Sequence, residues 1–295
     1  MAVAEIGPDP VSVWNVGATL GEGPVWVRRD RALWFTDIKR RKIHRYDPAS
    51  GEGRSWDAPE QIGFVYPAAR GGFIVGLQSG LYHFNEAAGD FTLVATIDLH
   101  PAGNRLNDAT TDSAGRLWFG TMDDNEQSSS GAFFKFEAGR VTPTGIADVA
   151  ITNGPAMSPD GRVLYHVDTR SGLINACDVV DDGTLANSRP FVRITPEEGY
   201  PDGPTVDSEG CVWIALFAGW QARRYSSTGE LLQTVRFPVA NITKLAFGGD
   251  DLRTVYATTA RLSLTPADIE RQPEAGDLFA FRADVPGLEQ APVAY

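Results

Sequence analysis

A chain of 295 residues exceeds the usual span of one domain. Its 42% hydrophobic content supplies a large core, and 31 Gly and 19 Pro without long helical periodicity indicate an all-β chain with many turns. The net charge of −12, with no basic run, excludes a nucleic-acid-binding class, because affinity for phosphate backbones needs clustered Lys and Arg.

Taken in chain order, the first segment, Met1 to Pro10, carries Glu5 and Asp9 with neither a basic run nor an apolar stretch, unlike a secretory signal peptide. No segment approaches the roughly 18 apolar residues that cross a bilayer, so the expectation is a cytoplasmic protein with no membrane partner. Val11 to Trp14 then reads as an orphan strand. From there a pattern recurs six times: a polar turn, a strand, a short Asp/Gly turn, and a strand opening on bulky residues. Those second strands are Leu33-Trp34-Phe35, Phe73-Ile74-Val75, Leu117-Trp118-Phe119, Leu164-Tyr165-His166, Val212-Trp213-Ile214 and Val255-Tyr256-Ala257. Their middle residues recur at intervals of 40 to 48. That is the length of a four-stranded propeller blade.

The turns agree with this reading. Asp112 to Gly115, Pro159 to Gly161 and Asp207 to Gly210 are hairpin turns in which Asp caps and Gly supplies the left-handed backbone. Second hairpins follow, as at Tyr46 to Gly51 and Tyr225 to Gly229. Thr265 as N-cap, Pro266 at the first position and Pro273 beyond predict one short helix. The orphan strand Val11 to Trp14 is expected to pair with Leu278 to Phe281 and close the ring. The fold class is therefore an all-β six-bladed β-propeller, spanning residues 1–295 as one domain. Cys177 and Cys211 sit in hydrophobic runs and read as free buried thiols.

Chemistry is concentrated just before the aromatic strands. Glu22-Gly23-Pro24, Asn153-Gly154-Pro155 and Asp202-Gly203-Pro204 share one form, an oxygen-bearing side chain followed by Gly-Pro. Asn107 occupies the matching place in the third repeat, each of the four lying 11 or 12 residues before its anchor. Equivalent positions in a propeller sit at equivalent radius and height, so the four side chains converge at one end of the channel. Glu is no turn former, which favours a metal site over turn chemistry at Glu22. Hard oxygen donors suit one divalent ion, Ca²⁺, Mg²⁺ or Mn²⁺ first, with Fe²⁺ or Zn²⁺ left open. In the sixth repeat Lys244 holds the matching position and is expected to contact substrate or pair with a carboxylate, and Gly63-Phe64 marks an apolar wall in the second.

On these residues the chain resembles the gluconolactonase and regucalcin family of six-bladed propellers, and within it the bacterial sugar lactonases. The resemblance rests on LGEGPVW from Leu20, RLNDATTDSAGRLWFGTM from Arg105, ITNGPAMSPDG from Ile151, YPDGPTVDSEGCVWIA from Tyr200 and FGGDDLRTVYATTAR from Phe247. It implies that Glu22, Asn153 and Asp202 hold the metal and that Arg105 and Asn107 bind the hydroxyls or lactone oxygens of a sugar. Where some members carry a substrate-contacting Glu, this chain has Asn125, beside Asp123, Asp124 and Glu126.

The expected activity is metal-assisted hydrolysis of a sugar lactone such as gluconolactone, xylonolactone or arabinonolactone, with Asp202 as general base. A nucleophile elbow is absent, and His44, His83, His100 and His166 show no convincing Ser partner, which disfavours covalent catalysis. His166 reads as a core histidine. A phosphotriesterase-like hydrolase and a non-catalytic calcium-binding or interaction propeller are the rival readings. The expected partner is a small-molecule lactone, and the expected state a monomer or weak dimer.

Overall fold

The computed structural model describes residues 5–97, 101–180 and 183–295. Six sheets stand around one axis as a six-bladed β-propeller. The foreseen aromatic triplets all lie in the second strand of their blades: Ala32–Asp37, Phe73–Leu77, Leu117–Asp123, Val163–Asp168, Val212–Phe217 and Thr254–Thr259. The innermost strands are Gly21–Val27, Ile62–Pro67, Asn104–Thr111, Thr152–Met157, Tyr200–Val206 and Ile242–Gly248. Each packs against the next around the ring, and the sixth returns to the first. Burial declines outward: every residue of Gly21–Val27 is buried, whereas Glu52–Asp57, the outermost strand of that blade, is mostly exposed. The apolar core therefore lies between blades, where Trp34 meets Phe73 at 4.2 Å between centroids and Phe64 meets Phe119 at 5.9 Å.

Ring closure follows the expected pairing. Val11–Trp14 runs antiparallel to Leu278–Arg282, with Val11 opposite Ala280 and Ser12 opposite Phe279. Trp14 then reaches into blade one, edge-on to Phe35 at 5.6 Å and stacked over Tyr46 at 6.1 Å. Upstream, the backbone of Glu5–Ile6 adds a parallel edge to Leu231–Arg236 in blade five, a pairing too short to show in the sequence. The short helix is Pro266–Arg271, capped reciprocally by Thr265 and Asp268. Both cysteines are free and buried.

Three turn aspartates do more than cap. Asp112 Oδ1 accepts the amides of Ala114 and Arg116, while Oδ2 accepts the indole of Trp118 (2.8 Å) and the guanidinium of Arg116 (2.6 Å). Asp207 repeats the arrangement with Glu209, Cys211, Trp213 and Arg224. Asp30 accepts the Trp34 indole at 3.1 Å. A buried indole N–H needs an acceptor, so the turn and the anchor Trp are selected together.

The C-terminal segment also had no forecast. It crosses the ends of blades five, six, two and three on the side where the inner strands finish. Ser208 donates to Pro286 O, Gly287 to Leu252 O, Val293 to Pro67 O and Ala294 to Gly115 O. Gln290 accepts from Thr110, and Val293 is fully buried. The segment thus lies across this end of the channel, and the inner strands begin at the other.

Two predictions follow from this packing. Asp112→Ala leaves Trp118 and Arg116 without their shared acceptor, and chemical denaturation should register a loss of about 3 kcal/mol, far above an exposed-site control. His166 is buried against Phe133, with both ring nitrogens lacking a hydrogen-bond partner, and burial pushes its pKa down to about 4. The folded state holds it neutral while the unfolded chain protonates it, so stability present above the ordinary His range is lost as pH falls through it toward 4. Between pH 7 and 5 the wild type should lose about 2 kcal/mol more than His166→Leu; equal losses would contradict the assignment.

Candidate active site

All six inner strands break register near the same height. The shifts fall between Glu22 and Val25, Ile62 and Phe64, Leu106 and Ala109, Asn153 and Ala156, Pro201 and Pro204, and Ile242 and Lys244. A β-bulge re-aims side chains and leaves ladder groups unpaired, which explains the Gly-Pro pair. Gly23 and Gly154 adopt φ of 55° and 75°, which a side chain would strain. Pro needs no ladder partner at the break. The oxygen-bearing residue before each Gly-Pro is thereby turned to the axis.

The result is a cavity of about 520 Å³ at the open end of the channel, lined by Glu22, Arg105, Asn107, Asn125, Asn153 and Asp202 among others. Sequence reasoning thus places six of its seven site residues on one wall or floor. The seventh, Lys244, does not line this cavity. It lies beneath the floor, where its ammonium crosses the axis to Asp108 Oδ1 and Ala109 O. Equivalent spacing brought Lys244 to the axis, but the buried carboxylate of Asp108 holds it below the cavity. The expected substrate contact gives way to its stated alternative, a carboxylate pair. Phe64 likewise packs into the interblade core.

The polar floor is a connected network. Arg105 Nε donates to Asp124 Oδ1 (2.7 Å), and its Nη1 donates to Asn107 Oδ1 and Leu106 O. Asn107 Nδ2 donates to Asn153 Oδ1 (2.9 Å) and to Thr152 O. Asn153 Nδ2 donates to Thr169 Oγ1 (2.8 Å), which in turn donates to Pro201 O (2.7 Å). Both amide hydrogens of Asn107 and one lone pair of its Oδ1 go to protein partners, so it orients Arg105 and Asn153. Asp124 also takes Lys39 (2.6 Å) and Gln61 (2.9 Å). Partial burial opposes its charge, but these hydrogen bonds and the Arg105 and Lys39 charges hold its carboxyl below the usual range. Asp123 instead ties the loop, accepting the amides of Asn125, Gln127 and Ser128.

Two carboxylates are left over. Glu22 and Asp202 are 4% and 5% exposed and lie in different blades. Glu22 accepts the amide of Gly23 (3.0 Å), and Asp202 Oδ1 has no hydrogen-bond partner. Burial drives both carboxyls upward. Repulsion from Asp108 adds at Glu22, which is pushed up to about 8. Repulsion from Glu22 and Asp108, with a hydrogen bond to Glu22, adds at Asp202. Lys244 is already held by Asp108, and Arg105 by Asp124. Among the described residues no group of three or more His, Cys, Asp or Glu is arranged to hold a metal. The donor set here is instead two carboxyls and the Asn153 amide oxygen, all hard oxygens, with Asp202 Oδ1 buried and unpartnered, and it fits a divalent cation.

Histidine chemistry lies elsewhere. His44 Nδ1 does meet Ser55 Oγ at 2.7 Å, a cross-strand pair the sequence did not reveal. It sits in the outer half of blade one against Trp14 and Phe35, and burial pushes its pKa down to about 4. His83 bonds Gly71 O, and His100 lies outside the described residues. Sequence reasoning missed Asp108, Thr169 and Arg170. Asp108 follows a flagged residue, and Asp124 lay within a flagged segment without a role. Thr169 and Arg170 follow the fourth anchor strand with no periodic signal.

Comparison with known proteins agrees with the geometry. Residues 20–261 match the family model described as the SMP-30/Gluconolactonase/LRE-like region. The chain is 36% identical over 279 residues to a 6-deoxy-6-sulfogluconolactonase from Pseudomonas putida, covering 92% of this chain and 94% of that protein. It is 31% identical to regucalcin from Danio rerio, covering 88% and 89%. A crystal structure of regucalcin from Agrobacterium tumefaciens, titled a calcium-binding protein, superposes with a TM-score of 0.94 at 26% identity and covers both chains fully. With its six blades, its Gly-Pro bulges and this match over most of its length, the chain belongs to the SMP-30/gluconolactonase/LRE-like family.

Proposed function

We propose that the protein hydrolyses a sugar lactone to its aldonic acid with the help of one divalent metal. The observation that carries this reading is the facing pair Glu22 and Asp202, buried without a counter-cation on the floor of a cavity beside Arg105. Support for the substrate class comes from the relatives, one of which is named for a sulfonated gluconolactone.

In this reading Glu22, Asn153 and Asp202 hold the metal, which when bound supplies Lewis-acid stabilisation of negative charge on the lactone carbonyl. Asp202, with its unpartnered oxygen facing the cavity, takes a proton from water. Arg105 presents its planar donors to the lactone oxygens, and Asp124 fixes the direction of that fork. Asn125 contacts sugar hydroxyls from the rim. The apolar wall of Leu20, Phe217 and Leu262 limits water around the reacting ester. The protein acts on a small molecule, as a monomer or weak dimer, in the cytoplasm.

Acid release from a panel of aldonolactones, with metal-stripped and Mn²⁺-, Ca²⁺-, Mg²⁺- or Fe²⁺-loaded protein, is the direct test. Metal-dependent turnover of at least one lactone is expected. Metal binding without turnover of any lactone would transfer the reading to a calcium-binding propeller, and turnover of phosphotriesters alone to that class of hydrolase.

Two variants probe the floor. Asp202→Asn should lower kcat by about 10²–10⁴-fold, the usual contribution of a general base. It should also raise the thermal midpoint of the metal-free protein, by relieving a buried repulsion, and lose the stabilisation that metal gives the wild type. A wild-type-like response to metal in Asp202→Asn would remove that residue from the ligand set. Asp124→Ala frees Arg105 and should raise KM about tenfold with metal-induced stabilisation unchanged.

A further inference from the structure

The cavity wall carries two cations, and they are in opposite states. Arg105 is buried and paired with Asp124, and its Nη1 also bonds Leu106 O and Asn107 Oδ1. Arg170 is exposed and stands one residue beyond Thr169, whose hydroxyl supports Asn153. Its Nη1 donates to the backbone oxygen of Glu126 at 2.8 Å, joining the blade-four loop to the blade-three loop across the cavity mouth. Among the described residues it forms no ion pair with any carboxylate, including the side chain of Glu126. The tether holds the guanidinium over the cavity and leaves its remaining N–H donors unspent.

The surroundings give that free cation a purpose. The protein carries a net charge of −12, and two of its carboxyls, Glu22 and Asp202, lie on the cavity floor. A ligand with its own negative group would be repelled from such a mouth unless one fixed positive charge received it. A neutral polyol needs no guanidinium, whereas phosphate, sulfonate and carboxylate match its fork with paired charge-assisted hydrogen bonds. The volume of about 520 Å³ leaves space above the floor for a substituent on the exocyclic arm of a sugar lactone.

We infer that Arg170 is a specificity residue for an anionic group on the exocyclic arm of the lactone, so that the preferred substrate is an acidic sugar lactone. The inference rests on the lactonase reading above and narrows its substrate class. Glu126, on the same wall, is left to face sugar hydroxyls.

The test compares glucono-1,5-lactone with its 6-phospho and 6-sulfo derivatives and with glucarolactone, using wild type, Arg170→Met and Arg170→Lys. Wild type should favour at least one charged lactone by about tenfold or more in kcat/KM, mainly through KM. Arg170→Met should erase that preference while leaving the neutral lactone within about twofold, and Arg170→Lys should restore part of it. The ranking of phosphate, sulfonate and carboxylate identifies the group. Calorimetric binding of 6-phosphogluconate and gluconate runs in parallel. If no lactone is turned over, the lactonase reading fails, and calorimetry decides alone: charge-selective binding lost in Arg170→Met supports the inference, and its absence overturns it. Equal effects of Arg170→Met on charged and neutral lactones, or none on either, overturn it while the lactonase reading stands.

Discussion

Six inner strands share one axis, and each breaks register near the end where it enters the channel. A bulge re-aims the side chain beside it, and in four blades that side chain is polar and lines the cavity. What a blade contributes to the site is therefore set by a single residue, with its neighbours chosen to permit the bulge. Glu22, Asn107, Asn153 and Asp202 place oxygen there, whereas Lys244 turns to Asp108 beneath the floor and Phe64 packs between blades.

That arrangement concentrates carboxyls in a buried region. Asp108, Glu22 and Asp202 bring three carboxylates near the axis, and Lys244 answers one of them. The Lys244–Asp108 pair also anchors the site mechanically, because Asp108 Oδ2 accepts the amide of Gly154 beside Asn153. A buried ion pair of this kind adds little net stability against a hydrophobic substitute, but removing one partner strands the other. Its position is better explained by what it holds in place. With that pair satisfied, Glu22 and Asp202 remain buried without a salt bridge, which costs the folded state stability.

The blades and the donor residues were legible because both are periodic. A bulky anchor every 40 to 48 residues, and Gly-Pro at a near-constant distance before three of the six, survive translation from sequence to ring. What remained hidden depends on neighbours across blades. Asp124 reaches Arg105, Lys39 and Gln61, partners from three blades. The indole acceptors Asp112 and Asp207 were read only as turn caps, since their second role appears once the anchor Trp folds back over the turn. Lys244 shows the limit most clearly: spacing set its place at the axis, and electrostatics then set its direction.

The two ends of the channel divide the labour. At one end the C-terminal segment bonds to blades five, six, two and three, with Val293 buried and Gln290 over the axis. The loops between second and third strands stand at the other, free of that packing, and they carry Asn125, Glu126, Thr169 and Arg170. Loops supported by a rigid scaffold can change side chains without disturbing the core. Residues at the bulges are bound by ring closure, so the floor is the constrained part of the site. Selectivity among substrates then resides at the rim, where an exposed Arg170 costs the fold little and alters the field over the mouth directly.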